Sequence, residues 1–316
     1  MPELPLVVVA DPIDAAAVER LRSGPCRVVD ASKDPASLPG HLADAWALIV
    51  RSRTKVTAAL ISSAPNLQLI ARAGVGVDNV DMAAAGARHV RVVNAPAAAT
   101  ASVAELAIAL YLLLVRGLFP QIVATKDGRW ERGTHGRELS GKTVGFVGYG
   151  RIAREVARRL APMGAASVAF DPYVPAPVDS TELLPFEALL SRADVVSVHA
   201  ALTPENHHLL DARAFDRMKS GSYLVNVARG PLVDEAALLA ALKSGRLAGA
   251  ALDVFEVEPP MNRELLMHPN VIATPHLGAS TAEAQRRAGF DTVDEVLRAL
   301  RGEPLVALVP PPGGGR

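Results

Sequence analysis

Short apolar runs alternate with Ala-, Leu- and Arg-rich stretches of helical period along most of the chain. Val7–Ala10, Ala47–Val50, Leu67–Ala71 and Val90–Asn94 read as buried strands with helical segments between them. That rhythm predicts a parallel sheet with crossover helices. A long apolar helix follows over about Ser102–Arg116, and a polar, loop-like stretch runs from Lys126 to Ser140. A second alternation then begins, with strands at Thr143–Val147, Ser167–Phe170, Val195–His199, Tyr223–Val227, Gly249–Asp253 and Val271–Ala273. Thr281–Leu300 reads as one amphipathic helix, with Ser280 as N-cap and Glu283 completing a capping box. The last eight residues, from Val309 to Arg316, cannot continue a helix or strand and are expected to fray.

The second series opens on a glycine turn of the nucleotide-binding kind, and the first does not. The expected fold is therefore α/β, with two doubly wound parallel-sheet domains. Residues 1–97 and 283–316 form a discontinuous substrate domain in this reading, interrupted by a Rossmann-like cofactor domain over 98–282. The 316-residue length is in keeping with two domains.

Charge narrows the partners. Basic and acidic residues balance at 33 each, so nothing points to nucleic acid or to an anionic membrane surface. Cys26 is the single cysteine, which excludes an intrachain disulfide and fits a reducing cytosol. The first ten residues lack a basic region and a cleavage site, so no signal peptide is expected. The apolar run Leu106–Val115 is too short to span a bilayer. A cytoplasmic protein without a metal site is the expectation.

Thr143–Val147 runs directly into Gly148-Tyr-Gly150-Arg-Ile-Ala153, the G-x-G-x-x-A form of a dinucleotide fingerprint. Gly148 permits the tight turn, Gly150 lets backbone approach a pyrophosphate, and Ala153 lets the helix pack closely on the strand. The diphosphate then meets free amides at the positive end of a helix. Asp171 stands at the end of the next strand, where a carboxylate accepts from adenosine ribose hydroxyls and repels a 2′-phosphate. The expected cofactor is NAD rather than NADP.

Three more segments fall at strand ends: Val225-Asn-Val-Ala-Arg229-Gly, Ala251-Leu-Asp253-Val-Phe-Glu-Val-Glu258-Pro, and Ala273-Thr-Pro-His276-Leu-Gly278. They bring a guanidinium, a carboxylate and an imidazole to one rim of a parallel sheet. Hydride transfer at a 2-oxo or 2-hydroxy acid needs these types. A cation holds the carboxylate and carbonyl oxygen, an imidazole moves the proton, and an acid orients the imidazole.

In this order after a dinucleotide turn, the segments resemble the D-2-hydroxyacid dehydrogenase family, from about Asp44 to Glu303. The resemblance implies that Arg229, Glu258 and His276 are catalytic. It assigns Arg151 and Ile152 to the cofactor phosphates, Asp171 to the ribose and Asp253 to the nicotinamide region. Val227, Ala228, His276 and Gly278 complete the implied cofactor contacts beside Gly148 and Gly150. The fold it implies has the active site in a cleft between two similar domains, and its long helix, here Ser102–Arg116, builds a homodimer or part of a tetramer.

Within the family, the segments Ile49–Thr57, Ala71–Asp81 and Lys126–Arg132 look most like the phosphoglycerate dehydrogenases. The implied substrate is a phosphorylated 2-hydroxy acid. Arg51 and Arg72 would hold its anionic groups, with Arg53 and Arg132 as further candidates. The amides of Gly74, Val75 and Gly76 would approach the carboxylate, and Arg229 and His276 would complete the substrate contacts. Two positions depart from the pattern: Ala99 stands where bacterial members often have asparagine, and Val198-His199-Ala200-Ala201 lacks the usual hydroxyl plus proline. His199 itself reads as structural. The chain ends soon after the return helix, so the regulatory domain of many relatives is not expected. A glyoxylate/hydroxypyruvate reductase is the alternative within the class, and an NAD-sensing transcriptional corepressor the alternative outside it.

Overall fold

The computed structural model describes residues 3–130, 132, 135–177 and 179–310. It divides into two compact units, one from the chain up to Ala99 together with the chain from Ala279, the other Thr100–Gly278.

The first unit is built on five strands: β1 (Leu6–Val9), β2 (Arg27–Asp30), β3 (Ala45–Val50), β4 (Leu69–Arg72) and β5 (Arg91–Val93). All pair in parallel, in the order β2-β1-β3-β4-β5. The central strands carry apolar residues on both faces because both faces are covered. Val8, Leu48 and Ile70 pack one core, while Val7, Ile49 and Leu69 pack another that includes Val293, Val296 and Leu297. Each such side chain contributes roughly 1.5–3 kcal/mol relative to exposure. The return helix (Ala282–Leu300) thus supplies one cover of this sheet.

Three features of this unit differ from expectation. The edge strand β2 was not foreseen, because its residues are exposed or half-buried and carry no continuous apolar signal. The cap of the return helix is Thr281, whose hydroxyl accepts from the Ala284 amide at 3.1 Å. With the helix starting one residue later than the Ser280 reading, Glu283 falls at N2 and cannot form the box. The first residue of the stretch expected to fray is held, the Val309 amide donating to the Val92 carbonyl at 2.8 Å, and the chain before it is fastened as well. Glu295, 5% exposed, accepts from the amides of Val306 and Ala307, and Leu308 bridges antiparallel to Val93 on the edge strand β5. Residues 311–316 of the expected fraying stretch lie outside the described residues.

The second unit begins with the apolar helix Thr100–Val115, stopped at Gly117, whose φ of 57° is left-handed. A further helix, Leu118–Lys126, leaves at 76° to it. The sequence reading had no element there. No single helix among the described residues is long and apolar enough to cross a membrane.

Seven strands follow: β6 (Thr143–Val147), β7 (Ala166–Phe170), β8 (Glu182–Leu183), β9 (Val195–Val198), β10 (Ser222–Asn226), β11 (Leu247–Leu252) and β12 (Val271–Ala273). They form one parallel sheet, in the order β12-β11-β10-β9-β6-β7-β8. The order reverses between β6 and β9, and ligands of open parallel sheets bind beyond the carboxyl ends of the strands at such a point. Tyr111 of the long helix is fully buried, and its hydroxyl donates to Ser197 Oγ at 2.6 Å. Ser197 in turn lies 2.8 Å from His199 Nε2. Burial drives the Tyr111 phenol upward, against the Ser197 hydrogen bond, and holds the His199 imidazole down at about 3. His199 is therefore a neutral member of an internal polar chain.

Candidate active site

β6 delivers the chain to Gly148 at a φ of +88°. A Cβ there would lie 2.5 Å from the Ala200 amide nitrogen, at the end of β9. Both the left-handed backbone and the neighbouring strand end therefore require glycine. Gly150 is different: a Cβ would meet nothing within 4 Å, so open space lies over the turn. The helix that follows, Arg151–Leu160, starts at Gly150 without any side-chain cap, and its first amides are left for a ligand. Ala153 is fully buried beneath the turn.

Asp171, after β7, accepts from the Tyr149 amide at 2.8 Å on Oδ2 and from the Tyr173 amide at 2.9 Å on Oδ1. The turn itself orients this carboxylate, and each oxygen keeps a lone pair for a ribose hydroxyl. An open glycine cradle, an uncapped helix start and an oriented acid together fit a dinucleotide with a free 2′-hydroxyl. Arg151 is exposed and Ile152 half-buried at the helix start, while Val227 and Ala228 are nearly buried after β10. Arg154, which sequence reasoning missed, donates to the Tyr149 carbonyl at 3.1 Å and lies over the Tyr149 ring.

Beyond β10, the fully buried Asn226 shapes the next turn. Its Oδ1 accepts from the Ala228 amide at 3.0 Å, and its Nδ2 donates to the Arg229 carbonyl at 2.9 Å. Arg229 is half-buried, with Nη1 donating to the Ala228 carbonyl at 2.7 Å. On the loops after β11 and β12, Glu258 Oε2 lies 2.9 Å from His276 Nδ1, and Glu258 Oε1 accepts from the Phe255 amide. The pair is open to solvent, at 51% exposure for the His276 side chain and 40% for Glu258. A cavity of about 490 Å³ adjoins it, walled in part by Phe255, Pro259, Leu266 and Pro275.

His276 takes a left-handed φ of 54°, unusual for a non-glycine residue. Its amide donates to the carbonyls of Asp253 and Thr274. Asp253, 1% exposed, accepts from Thr274 Oγ1, the Leu277 amide and the Gly278 amide, at 2.6, 2.7 and 2.9 Å. Asp253 thus folds the loop that presents His276, a task the sequence did not disclose. The structure brings Glu258 and His276 into contact and places Arg229 at the neighbouring strand end.

The residues expected to bind substrate lie in the first unit. After β3, the Arg51 amide donates to Asp11 Oδ2 at 2.6 Å. The guanidinium of Arg72, at the end of β4, occupies the space that a side chain on Gly74 would need. Asn94 Nδ2 donates to the Val75 carbonyl at 2.5 Å, fixing the Gly74–Gly76 loop. Arg53 is turned inward, donating to buried Asp11 and to the carbonyls of Ala10 and Ser32. Burial alone would raise the Asp11 carboxyl, but bonds from Thr54 and Arg51 and the Arg53 charge bring it below its ordinary value. Arg53 is accordingly a brace of the loop. Arg132 is exposed, and among the described residues no cluster of His, Cys, Asp or Glu could hold a metal.

Comparison with known proteins gives the same grouping. Residues 108–278 match the family described as D-isomer specific 2-hydroxyacid dehydrogenase, NAD binding domain. D-3-phosphoglycerate dehydrogenase of Mycobacterium tuberculosis is 47% identical over 305 residues, covering 95% of this chain and 58% of that protein. The chain likewise spans 58% of the length of the human D-3-phosphoglycerate dehydrogenase that it matches. Hydroxypyruvate reductase of Thermotoga maritima is 41% identical over 299 residues, covering 93% of this chain and 98% of that one. Among solved structures, NAD-dependent formate dehydrogenase from Staphylococcus aureus in complex with NAD superposes with a TM-score of 0.83 at 32% identity, covering 97% of this chain and 99% of that one. The chain belongs to the D-isomer-specific 2-hydroxyacid dehydrogenase family, and its seven-stranded unit is the NAD-binding domain of that family.

Proposed function

We propose that the chain oxidises D-3-phosphoglycerate to 3-phosphohydroxypyruvate, the entry step of serine synthesis. The observation that carries the chemistry is the 2.9 Å contact between His276 Nδ1 and Glu258 Oε2, on the rim that also holds the glycine turn and Arg229. NAD, when bound, supplies the acceptor for the hydride that leaves C2. The carboxylate of Glu258 fixes the tautomer with hydrogen on Nδ1, which leaves the Nε2 lone pair of His276 to take the hydroxyl proton. The same carboxylate stabilises the imidazolium that results. Arg229 offers a two-pronged cation to the substrate's carboxylate and to the oxygen that becomes a carbonyl. Gly148, Gly150, Arg151 and Ile152 hold the cofactor's phosphates, with Asp171 on the ribose. Val227 and Ala228 line the remaining cofactor surface, and the bond between Asp253 and the Gly278 amide supports the loop beside it. Arg51, Arg72 and the amides of Gly74–Gly76 serve the substrate's anionic groups.

The identity to D-3-phosphoglycerate dehydrogenases favours the phosphorylated substrate. Hydroxypyruvate reduction is the second reading, favoured by the relative of that name. The two substrates differ by a phosphate, so a panel followed at 340 nm with NAD or NADH separates them. Parental turnover of hydroxypyruvate or glyoxylate without turnover of D-3-phosphoglycerate would overturn the first reading. Under either, His276→Ala should lower turnover roughly a hundredfold or more while NAD still binds. Full turnover in that variant would remove the site from the mechanism. We also propose a homodimer through the long helix and its continuation, where Leu118, Phe119, Ile122 and Val123 are each more than a third exposed. Light scattering of Ile122→Glu against the parent tests that contact.

A further inference from the structure

Arg229 and Glu258 sit on separate loops of the NAD-binding unit, and these loops meet backbone to backbone. A Cβ on Gly230 would fall 1.8 Å from the Phe255 carbonyl carbon and 2.4 Å from the Glu256 amide nitrogen. Two reciprocal bonds fasten the junction. The Glu235 amide donates to Glu256 Oε1, and the Glu256 amide donates to Glu235 Oε1, both at 2.8 Å. The other oxygen of Glu256, Oε2, lies 3.2 Å from His208 Nε2. His208 holds a left-handed φ of 52°, and its amide donates to the Pro231 carbonyl, next to Gly230. A strained backbone tied to such a junction is unusual for a residue that only fills space.

Charge gives the arrangement a direction. Three acids face this point: Asp234, whose Oδ2 is 3.9 Å from His208 Nδ1, together with Glu235 and Glu256. Burial and the Glu256 charge push the Glu235 carboxyl upward, against the bond from the Glu256 amide. The His208 ring faces Asp234, Glu256 and the His207 ring, whose centroid lies 4.0 Å away at a tilt of 31°.

We propose that Glu256, braced by Glu235 and His208, is a positioning residue for catalysis. It locks the loop of Glu258 to the loop of Arg229, so that Glu258 Oε2 stays in contact with His276 Nδ1. The proposal rests on the reading of Glu258 and His276 as the acid–base pair. Glu256 is two residues from Glu258, so a tilt of the segment about Glu256 is felt at the pair. Misplacement by about 1 Å at a reacting centre can cost on the order of a hundredfold in rate.

The test uses the full chain with NAD and the 2-hydroxy acid it oxidises fastest. Glu256→Ala should bind NAD with near-parental affinity and lose roughly 10–100-fold in kcat, with a smaller change in KM. The alkaline-rising limb of kcat/KM should move to lower pH, as in Glu258→Gln, because a displaced Glu258 no longer favours the protonated imidazole. Glu256→Gln keeps an acceptor for the Glu235 amide and should recover part of kcat. A folded Glu256→Ala variant with kcat within twofold of parent and an unmoved limb overturns the proposal. If Glu256→Ala does not fold, Glu256→Ser, whose side chain is too short to reach the Glu235 amide, takes its place, and parental kcat and pH profile in it are equally fatal. Glu258→Gln and His276→Ala run alongside. Parental behaviour in those two sinks the acid–base reading itself, whereas their loss beside unaffected Glu256 variants sinks only the latch.

Discussion

Replacing Asp253 with Asn tests whether this buried carboxylate builds the loop that presents His276. The carboxylate receives two donors on Oδ1, Thr274 Oγ1 and the Leu277 amide, and one on Oδ2, the Gly278 amide. Asparagine has a single acceptor oxygen. Its better orientation places that oxygen at the Oδ1 position and turns the NH2 group against the Gly278 N–H. One buried donor is then left unsatisfied, at about 1–3 kcal/mol. The two surviving bonds lose their charge assistance, which accounts for roughly half of their strength. A neutral amide is easier to bury than a carboxylate, which offsets part of the loss. The net expectation is about 1–3 kcal/mol, a fall of roughly 2–12 °C in melting temperature for a domain of this size. The left-handed backbone of His276 leans on the same loop, so kcat should fall as well. Thermal melts of the parent, Asp253→Asn and Thr274→Val, each with kcat, form the assay. Thr274→Val removes one of the three donors to the carboxylate and should cost about 1.5–3 kcal/mol, the range for a bond to a charged group. A melting temperature for Asp253→Asn within 1 °C of parent (about the scatter of the method) would refute the reasoning.

Asp171→Ser should narrow the preference for NAD over NADP at least about tenfold, the equivalent of about 1.4 kcal/mol of relieved repulsion; an enzyme already indifferent to the 2′-phosphate contradicts the role given to Asp171. Burial holds His199 down at about 3 against an ordinary 6.5, so between those values the unfolded chain binds one proton more and stability falls as pH drops. The residue keeps some solvent contact, so the slope from this group is at most ~1.4 kcal/mol per pH unit, and denaturant midpoints of parent and His199→Gln at pH 7 and pH 5 should reveal it. Arg53→Ala should lower the melting temperature by depriving Asp11 of the Arg53 guanidinium, whereas Arg72→Ala should act chiefly on substrate KM; a KM effect as large in Arg53→Ala would place Arg53 in the substrate site.

What the sequence disclosed follows from where its signals lie. The interior strands of both sheets are apolar on both faces, so a run such as Thr143–Val147 was readable to the residue. The edge strands β2 and β8 are half-covered and short, and they carry no comparable signal. The helix Leu118–Lys126 is obscured in the sequence because glycine and proline, here Gly117 and Pro120, are the poorest helix formers. The glycine turn and Asp171 were legible because their geometry is local and the bond from the Tyr149 amide closes it within 22 residues. The bonds of Arg53 were hidden for the opposite reason. Its charge was visible, but its partner Asp11 lies 42 residues earlier and is fully buried.

The stretch from Asp253 to Glu258 shows why roles resist reading even where positions do not. It holds three carboxylates within six residues, and composition treats them alike. Asp253 turns into the sheet end and organises a loop 21–25 residues ahead. Glu256 turns toward Glu235, 21 residues behind, and toward His208. Glu258 meets His276, 18 residues ahead. Exposure divides them along the same line, from 1% for Asp253 to 40% for the side chain of Glu258. A buried acid must be saturated by fixed donors or it would not remain charged, and one at the rim can exchange partners during a reaction. The spacing therefore marks the segment as the place where chemistry is assembled. Which acid organises the loop, which meets Glu235 and which meets His276 is decided by the strands beside it, and the order β12-β11-β10 sets those neighbours on either flank of the loop.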